Sequence, residues 1–113
     1  MLRLNIDDSS LVLVNQPTNW GGGVILYNGN PFTGILFEYY PNSTQLSSES
    51  EYRDGIPDGR QVEYWPNGNL KEECFQKYDY YIGSFKLWND QGVLISHQEF
   101  DEFGNWKKTL VQL

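Results

Sequence analysis

The sequence predicts an all-β fold, an antiparallel β-meander of stacked hairpins in a single elongated sheet. Three observations carry this. The chain of 113 residues contains no alanine, the best helix former. Aromatic residues make up 16% of it and 11 glycines punctuate it, the mixture that strands and tight turns require. It also repeats itself, with a period too short for a domain and right for a hairpin.

Three segments define the repeat: Gly34 to Leu46, Gly59 to Leu70 and Gly83 to Leu94. Their opening glycines lie 25 and 24 residues apart, and their closing leucines 24 and 24. The one extra residue therefore falls in the first turn, Asn42-Ser43-Thr44-Gln45. In the second unit Gln61-Val62-Glu63-Tyr64-Trp65 reads as an outgoing strand. Pro66-Asn67-Gly68 then turns the chain, and Leu70 to Phe75 returns. A second turn, of the kind seen at Arg53-Asp54-Gly55-Ile56-Pro57-Asp58, leads to the next unit. The third unit departs from the pattern. It has Asn89-Asp90-Gln91-Gly92 for the Pro-Asn-Gly turn, and Lys77-Tyr78-Asp79-Tyr80-Tyr81 where a glycine turn is expected.

The length fits one domain, residues 1–113. Within it, residues 1–23 form an N-terminal cap, 24–100 the hairpin repeats and 101–113 a C-terminal capping strand. Leu11 to Val14 reads as a leading strand, Val24 to Tyr27 as a strand before the first full unit, and Trp106 to Val111 as the last. Atypical terminal units are what a repeat array needs to hide its ends.

Alternation sorts the repeat into two faces. Tyr39, Tyr64 and Trp88 form an aromatic column, with Leu46, Leu70, Leu94 and Tyr52, Gln76, Phe100 as companions, and this face is the expected core. The other face is expected to carry Glu38, Glu49, Glu51, Glu63, Glu73, Phe75, His97 and Glu99, the candidate partner-binding residues. Stacked like charges cost stability, so a column of glutamates without matching lysines suits a cationic partner. The competing reading is an ordinary solvated face, common on antiparallel sheets. A register error of one residue would swap the two faces. Should binding lie elsewhere, Tyr40, Trp65 and the Tyr78-Asp79-Tyr80-Tyr81 turn are the next candidates.

The net charge of −7 disfavours nucleic acid and anionic membrane as partners and favours a basic one. It also serves solubility alone. A single cysteine, Cys74, allows no intrachain disulfide. With no apolar run of secretory or membrane-spanning length, a soluble cytoplasmic protein is expected. No catalytic, metal or cofactor-binding residues are expected. One His and one Cys make no zinc set. Gly21-Gly22-Gly23 precedes a strand, not the helix a phosphate would need. Glu72 and Glu73 are adjacent on a strand and so point to opposite faces.

The stretch Tyr27-Asn28-Gly29-Asn30-Pro31-Phe32-Thr33-Gly34, followed by Tyr39-Tyr40-Pro41-Asn42 and by Tyr64-Trp65-Pro66-Asn67-Gly68-Asn69-Leu70-Lys71-Glu72-Glu73, resembles the MORN-variant repeat family. The likeness covers roughly residues 20 to 106. It implies a row of hairpins. It also implies an antitoxin- or immunity-like role, as described for bacterial proteins of this type: binding a cognate toxin domain, here a basic, nucleic-acid-directed one. A scaffold or adaptor for protein assembly is a second role the resemblance implies, and phosphoinositide or membrane-surface binding a third, against which the lack of a basic patch counts.

Overall fold

A computed structural model describes residues 1–15, 23–78 and 80–113. Gly21 and Gly22 of the glycine run, part of the N-terminal cap, and Asp79 of the divergent turn lie outside the described residues. The described chain is all strand and turn, without helix. Its elements are β1 (Arg3–Asn5), β2 (Leu11–Val14), β3 (Val24–Tyr27), β4 (Asn30–Pro31), β5 (Gly34–Tyr39), β6 (Leu46–Arg53), β7 (Ile56–Tyr64), β8 (Leu70–Lys77), β9 (Tyr80–Trp88), β10 (Leu94–Phe100) and β11 (Trp106–Gln112). From β5 to β11 each strand pairs antiparallel with the next, which gives the meander.

The repeat glycines occupy equivalent sites. Gly34 faces Tyr52, Gly59 faces Gln76 and Gly83 faces Phe100, partners that are themselves 24 residues apart. All three glycines have positive φ. The extra residue of the first unit also lies where the spacing puts it. The Tyr40 amide bonds the carbonyl of Gln45, five residues on, whereas Trp65 and Asn89 close their turns on Asn69 and Val93, four residues on.

Two features were not legible. The sheet is not alone: β1 joins its edge parallel to β5, and β2, β3 and β4 form a separate three-stranded sheet. Backbone bonds tie that small sheet to the β6–β7 turn, from the Ile25 amide to Gly55 O and from the Gly55 amide to Phe32 O. Phe32, 1% exposed, is packed between Tyr27 and Tyr52.

The second feature changes the faces. In each hairpin one residue of the return strand is unpaired: Ser47, Lys71 and Ile95. Such a bulge inverts every side chain beyond it. The aromatic column Tyr39, Tyr64, Trp88 keeps Leu46, Leu70 and Leu94 beside it, as expected. Tyr52, Gln76 and Phe100, however, lie on the opposite face, and Glu49, Glu51, Glu73, Phe75, His97 and Glu99 lie on the face of the aromatic column. The expected division into one apolar and one acidic face is thereby corrected. Below, the front face is the one bearing Leu36, Glu63 and Cys74, and the back face is the one bearing Val62.

Candidate functional site

The back face carries six of the eight candidate residues, and most of their charge is answered there. Val62 sits between Glu49 on β6 and Glu73 on β8. Arg3 reaches the Glu49 carboxylate at 3.1 Å, and the Tyr64 hydroxyl donates to its other oxygen at 3.0 Å. Burial and that hydrogen bond raise the Tyr64 pKa above a free tyrosine's. Arg60 Nε donates to Glu73 at 2.7 Å, and Lys86 is the register partner of Glu73 on β9. His97 lies 2.8 Å from Glu99, which faces Lys108 across β10–β11. With these long side chains lying along the sheet, Val62 is 2% exposed although no described element covers it. Phe75 packs between Arg60 and Ile82, half-buried. Glu49 and Glu73, expected to lack cations, therefore have them, supplied by arginines from other strands.

Glu38 and Glu63 are separated from these six and lie on the front face. There they form one row with a residue that sequence reasoning passed over. Glu38 pairs with Ser48, Ser48 with Glu63, and Glu63 with Glu72. Glu72 and Glu73 do point to opposite faces, and this is what brings Glu72 against Glu63. Among the described residues no cation lies within ion-pair distance of Glu38, Glu63 or Glu72. Partial burial, and then the Glu63 charge, raise the Glu72 pKa above the ordinary carboxylate value. Its signal in the sequence was its place opposite Glu63, readable only with the bulge at Lys71 known.

This row borders a shallow groove of about 250 Å³ across β6 to β9, with Ser50, Gln61 and Gln76 on its walls and Tyr81 at its end. Cys74 forms its floor at 3% exposure. Burial, then the charges of Glu72 and Glu63, push its thiol up to about 12. Such a thiol is protonated and inert at neutral pH. Beyond the groove the front face turns aromatic: Tyr81 packs edge-on against Phe85 with centroids 4.9 Å apart, and Phe100 lies 6.0 Å from Tyr81. Among the described residues no group of three His, Cys, Asp or Glu is placed to hold a metal ion.

The other candidates hold the repeats together. The Tyr40 hydroxyl donates to Tyr64 O, and Trp65 Nε1 donates to Trp88 O at 3.1 Å. Each ties one hairpin end to the next. Tyr78 takes φ +58, a left-handed conformation costly for a bulky residue.

No family model, curated protein or solved structure matches the chain. What the structure shows is the repeat architecture itself, a run of consecutive antiparallel hairpins. No helix among the described residues is long and apolar enough to cross a membrane.

Proposed function

We propose that this protein is a non-enzymatic immunity protein that binds a basic toxin domain and blocks it, the toxin's own target being nucleic acid. The observation that carries the reading is the row Glu38, Glu63, Glu72, in which two glutamates face each other directly across β7–β8 and, among the described residues, no cation lies within ion-pair distance of either. Like charges in register destabilise a sheet. A lysine or arginine from a partner between them converts that cost into binding energy. The net charge of −7 adds long-range attraction, which accelerates encounter with a basic partner. The repeat resemblance supplies the class of partner.

The test is co-expression. A toxin domain that co-purifies with the protein from the native cell should arrest growth when expressed alone, and growth should recover when the two are expressed together. Co-purification of several non-toxic proteins that assemble with one another, and no rescue, would favour the scaffold role.

A further inference from the structure

The structure contains its own template for how the front face is used. In the first repeat the front-face pair Leu36 and Tyr52 is covered: Leu36 is buried beneath the small sheet, and Phe32 packs on Tyr52. In the second repeat the same positions are polar, Gln61 and Gln76. In the third they are apolar again, Phe85 and Phe100. Here both are only half-buried, where Leu36 is fully buried. Tyr81, in contact with both, is 39% exposed, and Trp106, paired with Phe100, is 59% exposed. This partly exposed aromatic platform adjoins the acidic row, since Leu87 is the β9 partner of Glu72.

The geometry points to this half of the front face as the docking surface for a basic-apolar segment of a partner protein. An apolar side chain takes on Phe85, Phe100 and Tyr81 the place that Phe32 has over Tyr52. A lysine or arginine beside it reaches Glu72 and Glu63. The surface from β7 to β11 spans four strand spacings, about 19 Å, and about 27 Å along the strands, giving roughly 500 Å². That is less than the ~800 Å² each partner buries in a standard interface, so the occupant is an extended segment or a single hairpin. The charge asymmetry between the faces favours the same surface, because on the back face Glu49 and Glu73 already hold arginines.

This inference rests on the reading of the chain as a binding protein, but its test needs no toxin. The probe is a fluorescein-labelled, capped peptide Arg-Thr-Leu-Thr-Arg-Thr-Leu, whose arginines and leucines share one side when extended. Its anisotropy is followed against the full chain at low salt. Saturable binding should weaken at least about tenfold in Glu63→Gln/Glu72→Gln and at least about fivefold in Tyr81→Ala. The charge-matched double variant Asp90→Asn/Glu102→Gln, on the turns, should bind within about twofold of the parent. Replacing the peptide leucines by serine should cost about fivefold or more. Circular dichroism confirms that each variant is folded. No saturable binding, or folded front-face variants that bind like the parent, would overturn the assignment. Peptide binding at this surface without any toxin partner would leave it standing and remove the immunity reading alone. A rescued toxin bound equally by the front-face variants would do the reverse.

Discussion

The least replaceable side chains are those that a one-layer sheet uses to cover itself. Val62 has no second layer above it and is buried by the stems of Glu49, Glu73 and Arg60. Val62→Ala should lower stability by about 2 kcal/mol in urea unfolding. Tyr64→Phe, which removes only the hydroxyl that holds Glu49, should cost about 1 kcal/mol. Glu72 behaves in the opposite sense. Its native pKa is raised, so the folded chain holds its proton more tightly than the unfolded chain does. Stability then falls as pH rises from the ordinary value of 4.5 through the raised native one, and is level above it. Glu72→Gln should remove that slope and gain about 0.5 kcal/mol at pH 7, read from urea midpoints at pH 4 and pH 7. A residue that weakens the fold when charged is the kind a binding surface retains.

At the scale of the element, the hairpins were legible and their faces were not. Glycine spacing, Pro-Asn-Gly turns and strand-forming runs located β5 to β10, because each is a local property of a few residues. The bulges were invisible because Ser47, Lys71 and Ile95 have no chemistry in common. That single hidden residue moved six candidate residues to the back face and left Glu38 and Glu63 on the front. Deleting Lys71 tests the account. With the unpaired residue gone, Leu70 and Glu72 follow in ordinary alternation opposite Tyr64 and Glu63, so every residue beyond keeps its face and partner, and the cost by urea unfolding should stay below about 2 kcal/mol. The β8–β9 turn offers a gain instead. Tyr78 holds a left-handed conformation that glycine adopts freely, so Tyr78→Gly should raise stability by roughly 1 kcal/mol, measured in the same way.

At the scale of the whole molecule, the extents of 44 × 37 × 22 Å describe a thin plate with a small second sheet at one end. Contacts run almost wholly between neighbours in the chain. Among the described strand pairings the exception is β1, which reaches past β2, β3 and β4 to lie beside β5. The dock depends on one missing methyl group: a Cβ at Gly34 would stand 2.3 Å from the Leu2 carbonyl oxygen. This gives the plate a detachable hem. With Gly34→Ala the first strand has nowhere to lie, and the N-terminal segment it anchors should swing loose while the row of hairpins stays closed. Deuterium uptake by individual amides would show it, with Leu4 and Ile6 losing their protection and Val62, Cys74 and Gln98 keeping theirs. The two ends of the plate would then age differently in the cell, one shed to proteases by local opening and the other surrendered only when the whole sheet melts.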